Sequence, residues 1–227
     1  MIRLFITATD TDAGKTYIAK SLVSSLVKQG NKVAVYKPIS AGCYREKNQL
    51  INEDAFLLQQ QANCEQTLAE INPIAFELPI APHIAAQKEQ KTITLDDIYQ
   101  GYLKVLSHQA DVTLCEGAGG WRLPLGQGKF LSEFVKETQQ QVLLVINIKL
   151  GCLNHAVLTY ESIINDGVNC IAWVANVAEK DSCSPRVKEN IQALTELLPI
   201  PMLAQVNHQN TQTTITFSNK QLNKIKT

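Results

Sequence analysis

The sequence predicts an α/β protein: one doubly wound domain with a mostly parallel sheet and helices on both faces. Short, almost continuously apolar runs alternate with amphipathic stretches of helical length along the 227 residues. A strand apolar on both faces is what a sheet covered on both sides requires. The length suits one such domain, because surface scaling buries roughly 70% of the extended chain's surface and no staple is needed. No repeat or linker-like tract divides it, so residues 1–227 read as a single domain, with a polar, weakly patterned tail after Asn207.

Each element has its own signal. Residues 2–7 form a buried strand, and 16–29 a helix whose Ile18, Ala19, Leu22, Val23, Leu26 and Val27 share one face. Gly30 is placed to stop it. Residues 32–37 are a second strand and 53–62 a helix. Pro73, Pro79 and Pro82 mark an irregular stretch, with a helix resuming at Pro82. Thr94 stands three residues before Asp97, a capping-box-like start for a helix to about Ser107. Residues 112–116 are a strand, and Gly117, Gly119 and Gly120 make the loop after it. Strand 142–148, helix 154–165, Gly167 and strand 169–176 follow. Ser184-Pro185 opens a helix to Leu197, and 202–206 is a short last strand.

Lys plus Arg equals Asp plus Glu at 21 each, so no global field favours nucleic acid or an anionic membrane; a local basic pocket stays open. Six cysteines at 43, 64, 115, 152, 170 and 183 contain no CxxC pair and sit partly in apolar runs. They read as reduced core cysteines, which predicts a cytoplasmic protein. No apolar run approaches the ~18 residues of a membrane span. Met1-Ile2-Arg3-Leu4-Phe5 lacks the features of a signal peptide.

The first strand runs into Ala8-Thr9-Asp10-Thr11-Asp12-Ala13-Gly14-Lys15-Thr16, which opens a helix. This is nearly G-x-x-x-x-G-K-[ST]. Inward backbone N–H groups and a helix N-terminus cradle phosphate, Lys15 reaches the β and γ phosphates, and Thr16 offers a hydroxyl to Mg²⁺. Ala8 stands where the first glycine belongs. A positive φ there would cost on the order of 1 kcal/mol; otherwise the methyl is harmless. Lys37 ends the second strand, facing the ligand crevice or snorkelling at the surface. Glu116 ends an apolar strand as a Walker B acid does, or caps a turn. Asp54 taken alone is an N-terminal helix acid.

These residues, with Tyr36-Lys37-Pro38, Glu53-Asp54-Ala55, Asn72-Pro73, Ala81-Pro82-His83, Glu116-Gly117-Ala118-Gly119-Gly120-Trp121, Pro124-Leu125, Lys149-Leu150-Gly151-Cys152-Leu153-Asn154-His155-Ala156 and Trp173-Val174-Ala175-Asn176, fall in the order of a known family. The chain resembles the dethiobiotin synthetases over roughly residues 2–206. The resemblance implies a sheet of P-loop NTPase type and a Mg²⁺- and ATP-dependent cyclo-ligase. Such an enzyme joins CO₂ or bicarbonate to 7,8-diaminopelargonate through a carbamate and a carbamic-phosphoric anhydride. It further implies that Lys15, Lys37 and Thr11 are catalytic. Thr16, Asp54 and Glu116 would hold the metal. Asp12, Ala13, Gly14, Lys15, Thr16, Tyr17, Glu116, Asn176 and Val206 would bind nucleotide, with Asn176 reading adenine. Thr11, Lys37, Ala41, Gly119, Gly151, Cys152, Leu153 and Asn154 would bind substrate, the last four across a homodimer interface.

The chain departs from the family pattern at Ala8, at Ala41 (a hydroxyl is usual, and Ser40 stands beside it), at Val177, and at Ala204-Gln205-Val206-Asn207. Rival readings are a partitioning-type ATPase, an amidotransferase synthetase subunit, or a nucleotide-binding regulatory module without turnover. The first carries a signature lysine where Thr9 stands. The second needs a glutaminase elsewhere. The intact Lys15, Thr16, Lys37, Asp54 and Glu116 speak against the third.

Overall fold

The computed structural model describes residues 1–177, 185–207 and 217–225. Its centre is a six-stranded, all-parallel sheet of β1 (Ile2–Ala8), β2 (Val33–Tyr36), β3 (Val112–Glu116), β4 (Gln141–Asn147), β5 (Cys170–Val177) and β6 (Met202–Asn207), in the order β6-β5-β4-β1-β3-β2. β1 lies between β3 and β4. Successive connections therefore run to opposite sides of it, and the crevice above its carboxyl end is the expected ligand position.

Nine helices are present among the described residues: α1 (Lys15–Lys28), α2 (Glu53–Gln61), α3 (Leu68–Ile71), α4 (Pro82–Lys88), α5 (Leu95–Leu106), α6 (Leu131–Glu137), α7 (Cys152–Asn165), α8 (Pro185–Leu197) and α9 (Asn219–Asn223). One apolar layer joins alternate sheet residues such as Leu4, Ile6, Val145 and Val174 to α1, α2 and α9. The other joins Phe5, Tyr36, Leu144 and Trp173 to α5, α6, α7 and α8. The two-residue alternation of strand side chains splits the core this way.

The expected elements are present, with ends moved by a residue or two. Gly30 does stop α1: at φ 84° it takes the left-handed turn. The N–H of Asn31 donates to Leu26 O at 3.2 Å and that of Gly30 to Val27 O at 2.9 Å, a Schellman closure. Pro82 opens α4. The Thr94 cap is half of a capping box. Its Oγ1 accepts from Asp97 N at 3.0 Å, but the Asp97 carboxylate takes the Thr94 hydroxyl at 2.6 Å instead of the backbone N–H. Asp is one methylene shorter than the Glu of a full box. The complete version stands at Thr67 and Glu70, where the carboxylate reaches the Thr67 N–H at 2.7 Å and starts the unforeseen α3. Helix α7 begins at Cys152, two residues earlier than read from the sequence. Ser184, read as the cap of α8, lies outside the described residues.

The 217–225 part of the tail packs where the sequence showed only weak patterning. Phe217, Leu222 and Ile225 are buried against the α1 layer, and the Phe217 N–H donates to Ser25 Oγ at 2.9 Å. Three apolar residues in a polar stretch carry too little period to be read as an element. Edge strand β2 is closed by side-chain amides. Asn63 Oδ1 accepts from Val33 N at 2.7 Å, while Gln66 accepts from Val35 N at 2.8 Å and donates to Val35 O at 3.0 Å. That satisfies an edge that would otherwise pair with another chain. The five described cysteines are buried and free. No helix among the described residues is long and apolar enough to cross a membrane.

Candidate active site

A cleft of about 800 Å³ opens above the carboxyl ends of β1, β2 and β3. Its floor is the 8–16 loop. Ala8 is the last residue of β1 and paired with Val145, and it is absent from the residues of positive φ. Alanine therefore costs nothing there. The left-handed backbone falls at Asp12 (φ 56°) and Gly14 (φ 87°). Gly14 ends the loop as the N-cap of α1 with no side-chain cap, so the first N–H groups of the helix stay available to an anion. A Cβ at Gly14 would lie 2.2 Å from Asn176 Nδ2, so glycine is required by space as well as by φ.

Lys15 is buried to 8% exposure, and its ammonium donates to Gly119 O at 2.6 Å and Asp10 O at 3.3 Å. Burial, joined by the charge of Lys37, holds its pKa below the usual lysine range despite Glu116, Asp54 and Asp12. Lys37 lies one residue past β2. Its Nζ donates to Glu116 Oε1 at 2.7 Å and stands 3.2 Å from Asp54 Oδ2. Burial pulls the Lys37 pKa down, but the carboxylates of Glu116 and Asp54 outweigh it, and the net shift is upward. Glu116 is fully buried; its Oε1 also accepts from the Thr16 hydroxyl at 2.8 Å, while Oε2 has no partner. Asp54 arrives from the first turn of α2, whose Asn52 cap accepts from Ala55 N at 3.1 Å.

The fold thus brings together the five residues singled out from the sequence, Lys15, Thr16, Lys37, Asp54 and Glu116. Thr11, Asp12, Gly14, Tyr17, Ala41 and Gly119 line the same cleft. Ala13 is buried beneath it and accepts from Asn176 Nδ2 at 2.8 Å. That bond uses one of the two N–H groups of the Asn176 amide, and the buried Oδ1 is without a partner. Val206 is the register neighbour of Asn176 on β6. Ser40 also lines the cleft, but its hydroxyl donates to Asn72 Oδ1 at 2.7 Å and so is already committed. Gly151, Cys152, Leu153 and Asn154 form the start of α7 and do not line this cleft. Ala81 and Pro82, noted only within a family segment, join Pro79, Ile80 and Leu123 in the cleft wall; none was assigned to the site, since apolar loop residues carry no chemical signature.

Further contacts hold the two loops. Trp121 Nε1 and the Arg122 guanidinium both donate to the Asp166 carboxylate, each at 2.7 Å. Lys149 meets Asp10 at 3.4 Å, linking the segment before α7 to the 8–16 loop.

Anion-ready backbone at the end of a central parallel strand, a lysine over it and a buried acid on the neighbouring strand define the P-loop NTPase class. Solved structures agree on the fold. The chain is similar to the MinD cell division protein of Aquifex aeolicus (TM-score 0.52, 13% identity, 99% of this chain and 86% of that one). It is also similar to a ParA family ATPase of Chlorobium tepidum (TM-score 0.54, 12%, 92% and 84%). A family profile described as an AAA domain matches residues 2–215. At higher identity stand proteins named ATP-dependent dethiobiotin synthetase BioD. That of Aeromonas salmonicida is 44% identical over 206 residues, 91% of this chain and 90% of its own. That of Cellvibrio japonicus is 43% identical over 202, 89% and 87%. The chain belongs to the dethiobiotin synthetase family.

Proposed function

We propose that this protein is an ATP-dependent dethiobiotin synthetase, a cyclo-ligase of biotin biosynthesis that consumes diaminopelargonate, CO₂ or bicarbonate, and ATP. The observation that carries the reading is the Lys37 ammonium set between Glu116 and Asp54 beside the Lys15-Thr16 loop, in a member of this family. One substrate amine adds to CO₂ and loses a proton to give a carbamate. A carbamate oxygen forms a bond to the γ-phosphorus as the bond to ADP breaks. The second amine then attacks the carbonyl carbon, and phosphate leaves as the ring closes. Lys15 and Lys37 supply positive charge where the transferring phosphoryl group and the carbamate carry negative charge, which is most of what such a transfer needs. Thr11 and Asp12, on the cleft wall, are assigned to the substrate amines, and Gly119 to substrate contact.

The residues present fit Mg²⁺. Glu116 Oε2 is buried and unpartnered, and the Thr16 hydroxyl and Asp54 complete an all-oxygen set. Two carboxylates and a hydroxyl suit a hard cation that keeps waters and phosphate oxygens as further ligands. Thr16, Asp54 and Glu116 would hold it. Held there, the ion would supply positive charge to the β and γ phosphates.

The test is ATP hydrolysis with each co-substrate omitted in turn. ADP and dethiobiotin are expected only when diamine and bicarbonate are both present, since the acceptor is the carbamate; equal hydrolysis without diamine overturns the reading. In the same assay GTP probes the base. We assign Asn176 Oδ1 to the adenine amine, so kcat/KM should favour ATP, and by no more than the 1–3 kcal/mol of one good base contact. Equal values would move base recognition elsewhere.

We also propose a homodimer, in which Gly151, Cys152, Leu153 and Asn154 serve the partner's cleft. Leu150 (88% exposed), Leu158 (57%) and Ile164 (43%) lie on or beside α7, an unusual amount of open apolar surface for one helix. An isologous contact through it would use the same patch twice. Sedimentation at assay concentration should find the dimer; a fully active monomer contradicts it.

A further inference from the structure

We infer that Asn72 is a positioning residue for Lys37. The sheet ladder ends at Tyr36, paired with Cys115, so the Lys37 peptide has no strand beside it. The 71–76 segment takes over. The Lys37 N–H donates to Ile71 O at 2.8 Å, and the Lys37 carbonyl accepts from Asn72 Nδ2 at 2.7 Å. The other end of the same amide, Asn72 Oδ1, accepts from the Ser40 hydroxyl at 2.7 Å. One side chain, 8% exposed, therefore spans the turn from Lys37 to Ser40.

Its own backbone is held independently, with the Asn72 N–H donating to Leu68 O at 2.8 Å. The strap beyond it is held by Ile74 N to Pro38 O at 3.2 Å and Phe76 N to Ser40 O at 3.0 Å. The side chain is thus not needed to keep the strap in place. What it adds is a fixed direction for the Lys37 main chain. Lys37 carries its charge at the end of four methylenes, between two carboxylates at 2.7 and 3.2 Å. Such a group holds its geometry only if its root is fixed. An amide donates at one end and accepts at the other; aspartate only accepts, and leucine does neither.

The inference rests on the role assigned to Lys37 above, and the experiment separates the two. Asn72→Asp, Ser40→Ala and Lys37→Ala are made singly, and the first two also on the Lys37→Ala background. Steady-state kcat and the KM for ATP are then measured. Asn72→Asp keeps the shape and removes the donor to Lys37. It is expected to lower kcat about 10- to 100-fold, the scale of a misplacement near 1 Å, with KM for ATP nearly unchanged. Ser40→Ala should give a smaller loss in the same direction. On the Lys37→Ala background neither should lower kcat further, because the group they position is gone. Additive losses there, or wild-type kcat in Asn72→Asp, would overturn the inference while leaving Lys37 in its role. Wild-type kcat in Lys37→Ala would instead remove the assignment beneath it. Should Asn72→Asp fail to fold, Ser40→Ala decides: lower kcat at unchanged KM supports the inference, and unchanged kcat overturns it.

Discussion

Lys37→Ala is expected to lower kcat by about 10²–10³-fold, the scale of losing one pre-placed charge or donor at a developing anion. The ammonium is buried, and Glu116 and Asp54 keep it charged. An interaction made mainly in the transition state lowers kcat more than it raises KM, so the KM for ATP should barely move. A change confined to that KM would make Lys37 a ground-state phosphate anchor. The same substitution also bears on stability. Glu116 has no exposure at all, and without Lys37 its charge keeps only the Thr16 hydroxyl. Removing one partner of a buried pair costs about 3–5 kcal/mol; the half-exposed Asp54 adds little to that. Thermal unfolding should show the loss, and Mg²⁺ should recover part of it if Thr16, Asp54 and Glu116 hold the metal. No recovery at saturating Mg²⁺ would take these carboxylates out of that set.

Glu116→Gln is expected to cost kcat on a comparable scale, about 10²-fold or more, with a raised requirement for Mg²⁺. The amide oxygen can still accept from Thr16 and Lys37, so the variant removes charge and little else. It also predicts a pH effect with a definite sign. Burial pulls the Lys37 pKa down, and Glu116 is the largest of the influences that raise it. With Glu116 neutral the Lys37 pKa falls. The ammonium is the useful form, so the alkaline limb of the kcat profile should move to lower pH than in the native enzyme. Native turnover at limiting Mg²⁺ with an unmoved alkaline limb would contradict both assignments.

Much of the architecture was legible because it depends on near neighbours in sequence. An apolar run is buried on both faces wherever it sits, which is why strands at 2–7, 112–116 and 142–148 were found to within a residue or two. Gly30 and Pro82 act on their own φ and are readable one at a time. The short pieces were not legible. Residues 39–40 and 74–75 pair over two residues each, far below the length at which a period shows, and they pair only because the 71–76 strap returns beside Lys37. The same holds for Phe217, Leu222 and Ile225, whose burial depends on the face of α1 they meet.

By itself the sequence determined the order of strands and helices, the phosphate loop with its lysine, and the strand-end charges Lys37 and Glu116, because each is a property of a local pattern. Tertiary structure alone decided three things. Ala8 keeps strand geometry, since its φ is set by the ladder with Val145. Asp54, which alone would be a helix-start acid, stands with Glu116 around Lys37, because β2 and β3 end and α2 begins at the carboxyl side of the sheet. The Ser40 hydroxyl is committed to Asn72, so the wall at Ala41 gains no free hydroxyl from its neighbour. Side chains 32 or more residues apart meet only when the sheet has formed, and a hydrogen bond spanning that distance has no sequence period to announce it.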